Sequence, residues 1–446
     1  MSTAGETRPA TGSVAVGRPR TRSPRLRPST AFAGTALAFV AVALAVGAPS
    51  PLFVLYQQEW GFPSWLLTVA FAIYAVTLLI TLLIAGSLSD HIGRRPVLIG
   101  ALVLQVAAML MFLFSRDIGS IIAARSVQGV ATGAAMSTFT AALVELAPER
   151  QKKLGATIGS TAPVGGIALG AFFTGLAVQF TAQPTVLVFV TLVLLFVAGI
   201  LVVLASPETV TARPGALRSL TPRLFIPRAA RGEFVGALPL FLATWMLAGL
   251  FIGLSPSILH GVFHLDSGLL NGAIVAVPPA VGAAAGLLLT RAPARTTTVW
   301  AMAAIMVGIA LTAVGISAGL LPVLFAGAVV AGAGFGAGFS AMLRIIAPLA
   351  PNDQRAELFA GVFLVSYLAY GIPALAAGEL IGIVGLLPTA LGYAAAIAVA
   401  AAVAMVVQIV RLARTVRTEA VLAEAAPAEE APAEATSAEP VVTSGR

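Results

Sequence analysis

Four groups of residues in this chain have types and spacings that could support chemistry. The stretch GSLSDHIGRRP, residues 86–96, places Asp90 four residues before Arg94 and five before Arg95, between Gly86 and Gly93. Opposite charges at that spacing can make and break ion pairs. Arg125 and Gln128 stand in RSVQGVATG with no other charge nearby. An arginine in an apolar run has to face a cavity or a partner. Tyr74, Trp245, Tyr367 and Tyr370 lie within apolar runs and can both stack and donate hydrogen bonds. His260 and His264 are four residues apart with Asp266 nearby, a spacing that could seat a metal. No HExxH pattern surrounds them, and a polar helix end is the better reading.

Other chemistries find no residues. The chain has no cysteine, which excludes disulfides and thiol catalysis. No nucleophile–base pair or metal cluster is visible, so we expect no enzyme, no metal and no cofactor. GxxxxGK[ST] does not occur, so ATP-driven transport by this chain is not expected.

The elements that position these groups follow from composition. Of 446 residues, 59% are hydrophobic and 10% charged, with a mean hydropathy of +0.98. A soluble domain carries about 25% charged residues, so the medium around this fold is lipid. About 20 apolar residues cross the hydrocarbon core. Twelve such runs are predicted, at 32–56, 64–85, 97–114, 118–141, 156–180, 184–205, 236–260, 268–290, 298–317, 320–343, 357–380 and 386–410. The first run has the basic flank of a signal peptide but continues into PLFVLY, and reads as a signal anchor. Of 26 Lys and Arg, all but Arg116 and Arg125 fall on one side of these spans. The positive-inside rule then puts both termini in the cytoplasm. It also explains the net charge of +8 without nucleic acid.

The expected organisation is a basic cytoplasmic tail at 1–30, a six-helix bundle at 31–205, a cytoplasmic loop at 206–235, a second six-helix bundle at 236–411 and a disordered tail at 412–446. GSLSDHIGRRP at Gly86 has a faint copy, GLLLTRAPART, at Gly286, with Thr290 in the place of Asp90. LVELAPERQ at Leu143 likewise lines up with LRIIAPLAP at Leu343. Two related six-helix halves in parallel arrangement are the result. Pro256, Pro278, Pro279 and Pro373 are expected to break helices and shape gates.

Gly86-x-Leu88-x-Asp90-x-x-Gly93-Arg94-Arg95 resembles the signature loop between the second and third helices of the major facilitator superfamily. The resemblance implies an all-α, twelve-helix membrane protein that transports a small molecule. It implies that Asp90 meets the start of the eleventh helix when the protein faces outward, and that Arg94 meets Glu145 at the end of the fourth. Gly86, Asp90, Gly93, Arg94, Arg95 and Glu145 would form a conformational latch. Arg125 and Gln128 resemble the superfamily's second motif, linked to proton coupling. Arg125 snorkelling to water is the alternative. Gly129 and Gly133 form a GxxxG packing step. Gly166, Gly170 and Gly175 stand where drug/proton antiporters carry a hinge motif, here eroded by Ala171 and Thr174. SPET at 206–209 resembles the short signature after helix six.

The expected function is proton-linked export of a small apolar or weakly polar compound by a monomer in the bacterial cytoplasmic membrane. The proton gradient is the expected energy source. Proton-linked uptake of a metabolite is the second reading, and a non-transporting sensor or assembly partner the third. No aspartate or glutamate lies in the first span, which argues against strongly cationic substrates.

Overall fold

The computed structural model describes residues 26–63, 65–216, 220, 225–351 and 354–425. Twelve helices are long and apolar enough to cross a membrane. They are α1 (Pro28–Trp60), α2 (Trp65–Ala85), α3 (Arg94–Leu113), α4 (Ile118–Leu146), α5 (Lys152–Phe180), α6 (Pro184–Ala205), α7 (Arg228–Gly261), α8 (Gly268–Leu288), α9 (Ala294–Ala318), α10 (Leu321–Ile346), α11 (Arg355–Val384) and α12 (Leu386–Ala425). No strand occurs among the described residues. A chain in lipid must satisfy its backbone groups within each segment, which selects helices.

Two helices are locally broken. α1 is interrupted at Ala48, just before Pro49, which has no N–H to give. α7 passes through a π-helical stretch, Gly249–Leu254, before its last turns from Ser255. The gate-shaping breaks expected at other prolines are absent. Pro278 and Pro279 lie inside an unbroken α8, and Pro373 inside an unbroken α11. Pro256 falls in the first turn after the π stretch, where a proline is tolerated.

Three expected boundaries shift. α1 starts at Pro28, within the stretch taken as tail. α7 starts at Arg228, so residues 228–235 form its first turns rather than part of a loop ending at 235. α12 continues to Ala425, past the limit at 411. Charged residues hid the ends of α7 and α12, because hydropathy stops at the membrane surface while a helix rich in Ala, Arg and Glu need not; at α1 the polar Ser29 and Thr30 behind an N-terminal proline did the same. Residues 1–25 and 426–446 lie outside the described residues.

Each half has its own apolar core. One cluster is built mainly by α1 to α6 and takes in Tyr370 of α11; the other is built mainly by α7 to α12 and takes in Ala168 and Ala171 of α5. Between halves, α5 packs on α8 and α2 on α11. The helix ends divide into an arginine-rich side, with Arg94, Arg295 and Arg344, and an arginine-poor side. The halves meet tightly at the arginine-poor side. A Cβ on Gly175 of α5 would come within 2.7 Å of Gly272 Cα on α8. Gly378 of α11 is pressed against the Thr68 side chain of α2. Gln58 Nε2 donates to Asp266 Oδ1 at 3.2 Å, and Ser267 Oγ to Gln179 Oε1 at 3.0 Å. These contacts seal one end of the seam.

Candidate binding core and arginine-rich corner

Arg125 lies two turns into α4 and is only 2% exposed. It therefore does not snorkel. GxxxG spacing makes this depth reachable. Gly129 and Gly133 let α4 press onto the backbone of α2 at Tyr74 and Leu78, where a Cβ would collide. Gly166 and Gly170 do the same for α5 against α1 at Ala43 and Leu44. Small residues thus draw α2 onto α4 beside the guanidinium, and α5 onto α1.

Every contact of that guanidinium is to a neutral group. Nη1 donates to Gln128 Oε1 at 2.7 Å, and Nε to the Ala70 carbonyl at 3.4 Å. Gln128 is oriented by donating its Nε2 to the Ala45 carbonyl at 2.6 Å. The cation lies 4.3 Å from the Tyr74 ring centroid, 5.3 Å from Phe71 and 5.9 Å from Phe53. Cation–π contacts stabilise a desolvated cation by about 0.5–2 kcal/mol each. They do not supply the counter-charge that a buried arginine favours. The site is a caged cation with aromatic walls.

The other half closes this core with aromatics. Tyr370 of α11 is buried in the apolar cluster of the first six helices, and Trp245 and Tyr367 pack against the same cluster. Trp245 lies 4.9 Å from Tyr367, centroid to centroid, and 5.8 Å from Phe339 of α10. The four aromatic candidates therefore form two groups, Tyr74 on Arg125 and Trp245 on Tyr367, with Tyr370 near both. Phe53 and Phe71 were missed. Nothing distinguishes them in sequence from the many phenylalanines that face lipid.

The arginine-rich corner after α2 is held by a denser polar network. Arg94 Nη2 is 3.0 Å from Glu145 Oε1, and its Nη1 donates to Ser89 Oγ at 2.6 Å. Asp90 pairs with Arg94 at 2.5 Å. Its meeting with the start of α11 is not seen in this arrangement, and residues 352–353, just before α11, lie outside the described residues. Arg95 donates to the Val203 and Leu204 carbonyls at the end of α6. Gly86 ends the corner's approach, its carbonyl accepting from Ser137 Oγ of α4.

Sequence reasoning undervalued SPET. Glu208 accepts the Arg94 and Arg95 backbone N–H groups, and Thr209 Oγ1 donates to Glu145 Oε2. The second half repeats the place but not the chemistry. Arg344 of α10 donates to the carbonyls of Leu289, Thr290 and Ala292. Ile345 stands where Glu145 does in the first half, and an acid elsewhere, Glu233 of α7, is shared by Arg295 and Arg411. At the arginine-poor side, His260 Nδ1 meets Asp266 Oδ1 at 2.5 Å. No group of three metal-binding side chains occurs among the described residues.

Comparison with known proteins bears on this arrangement. The sequence matches the family described as Major Facilitator Superfamily over residues 35–311. The chain belongs to the major facilitator superfamily. It shares 30% identity over 98 residues with the 4-hydroxybenzoate transporter PcaK of Pseudomonas putida. It shares 32% over 118 residues with a gallate transporter of the same organism. These alignments cover 22% and 26% of this chain, and the same shares of the relatives. The chain thus spans about a quarter of the length of the curated relatives it matches. A crystal structure of the peptide transporter POT in complex with sulfate superposes with a TM-score of 0.65. It covers 86% of this chain and 94% of that one at 15% identity, and so shares the fold. The twelve-helix expectation agrees with this family fold, and the superfamily is one of transporters rather than enzymes.

Proposed function

We propose that this superfamily member is a secondary transporter that carries a small aromatic carboxylate through the membrane by alternating exposure of its core. The observation that supports this best is Arg125, a buried cation whose neighbours are all neutral and mostly aromatic. A carboxylate would give it charge-assisted hydrogen bonds. The attached ring would meet Phe53, Phe71 and Tyr74. The substrates named for the curated relatives, 4-hydroxybenzoate and gallate, are aromatic monocarboxylates.

In this reading the arginine-rich side faces the cytoplasm, as the positive-inside rule requires. The close contacts at the arginine-poor seam support an inward-facing reading, and we take the protein to work as a monomer in the bacterial cytoplasmic membrane. Among the described residues Asp90 pairs with Arg94 and not with α11, which supports a latch that forms in the opposite state. Charge supports one direction. An exported anion moves with an inside-negative potential, gaining about 2.3 kcal/mol per charge per 100 mV. Export is therefore our first reading of direction, with the proton gradient as a further source of energy.

The test is binding and flux of 4-hydroxybenzoate with purified protein in proteoliposomes. Arg125→Gln should weaken binding by about tenfold or more, the share of a charge-assisted hydrogen bond. Equal binding by the variant overturns the reading. Lumenal alkalinisation on adding the acid outside would indicate exchange for protons, and acidification would indicate symport and hence uptake.

A further inference from the structure

Trp245 carries a hydrogen-bond donor that the fold does not use. Its indole Nε1 is buried and makes no hydrogen bond. The ring is fixed by Phe335 and Phe339 of α10, at 6.5 and 5.8 Å, and by Tyr367 of α11 at 4.9 Å. An indole N–H can only donate. Left unmade in a dry interior, such a bond is a standing cost, and a buried Trp usually finds a partner. Phenylalanine would fill the same aromatic box without that cost.

Its position separates Trp245 from the other tryptophans. Trp65 and Trp300 are 40% and 71% exposed, and Trp60 lies at the end of α1. Trp245 lies mid-helix in α7, on the second half, yet packs against the core of the first. Arg125 lies over Phe53 and Phe71, which belong to the same apolar cluster that Trp245 and Tyr367 pack against. The unused donor and the caged cation thus belong to one aromatic-lined core, with one contributed by each half.

We propose that Trp245 donates its indole N–H to a second polar acceptor on the substrate, so that the site selects aromatic acids carrying a group such as a hydroxyl away from the carboxylate. This rests on Arg125 being the carboxylate anchor. Such a substrate bridges the halves, with its charge held by α4 and its far oxygen by α7. Selection follows from the unpaired donor. A site built to hydrogen-bond a substrate group rejects an analogue that lacks it, because the protein group is left unpaired.

The experiment compares 4-hydroxybenzoate with benzoate by calorimetric titration of the full-length purified protein. The expected wild-type preference for 4-hydroxybenzoate is about tenfold or more. Trp245→Phe should bring that ratio to about one, and Trp245→His, which keeps a ring N–H, should restore part of it. A ratio unchanged in Trp245→Phe, or both acids weakened equally in both variants, overturns the proposal. If wild-type protein binds both acids equally, the donor is not used and the proposal fails while the Arg125 reading stands. If wild-type protein binds neither acid, the Arg125 reading fails and takes this inference with it.

Discussion

Glu208 accepts the backbone N–H of Arg94 at 2.8 Å, and that of Arg95 at 3.0 Å with its other oxygen. A carboxylate from beyond the end of α6 thereby caps the first turn of α3, where the orphan N–H groups and the helix dipole both favour a negative charge. The fit is close. Gly93 has φ +100°, and a Cβ there would stand 2.7 Å from Glu208 Oε2.

Removing this cap should destabilise the first bundle. Glu208→Ala is expected to cost about 1 kcal/mol, the usual value of a side-chain cap. Gly93→Ala should cost at least as much, since a side chain at this extended positive-φ conformation adds about 1–3 kcal/mol to the clash. Thermal unfolding in detergent checks both. A Glu208→Ala protein as stable as wild type would show the cap to be without weight.

Glu233 should matter more to the second bundle. Its carboxylate lies 2.6 Å from Arg295 Nη2 and 2.9 Å from Arg411 Nη1, and ties α7 to α9 and α12. Glu233→Gln leaves two neighbouring cations facing a neutral group. Loss of one partner of a buried pair costs about 3–5 kcal/mol. With side chains 19–24% exposed, solvent screening reduces the expected loss to about 1–2 kcal/mol. Unfolding of Glu233→Gln beside an Arg295→Met, Glu233→Gln double variant measures it. A smaller loss in the double variant is the expected result.

The seam and the corner should respond in opposite directions. Gly175→Leu inserts a side chain where α5 and α8 touch at Gly272, so the arginine-poor end should open. Asp90→Asn removes the charge of the proposed latch, so the present arrangement should become more populated, with stability within about 0.5 kcal/mol of wild type. Because the chain has no native cysteine, single cysteines placed at each end report accessibility without background. Gly175→Leu should raise labelling at the arginine-poor end and Asp90→Asn at the arginine-rich end. Unchanged labelling in either variant would remove that residue from the switch.

Much of the fold is legible before any coordinates. Apolar runs of membrane length, separated by short polar turns, admit only helices in lipid, and their number follows by counting. The placement of 24 arginines and lysines on one side follows the same way. Arg125 was marked as unusual by its surroundings alone, because a charge amid apolar residues needs a reason. The ends of α7 and α12 were not legible, since Arg228 and the Ala- and Glu-rich stretch after 411 are hydrophilic but helical. Glu208 was visible only as part of a short resemblance. Its grip on Arg94 spans more than a hundred residues of chain, and no local pattern encodes such a distance.

The sequence by itself determined the lipid environment, the twelve helices, the two-half organisation and the glycine steps that let helices approach. Those are properties of composition, period and repeat, and all but the two halves are settled within one helix length. Only the tertiary structure decided what surrounds each polar group. It put Arg125 among Phe53, Phe71 and Tyr74 rather than at the surface, left the Trp245 indole N–H without an acceptor, and closed the seam at Gly175 and Gly272. The reason is that helix rotation and register are set by packing between segments distant in sequence. The face a side chain presents, and so its partner, appears only once those segments have met.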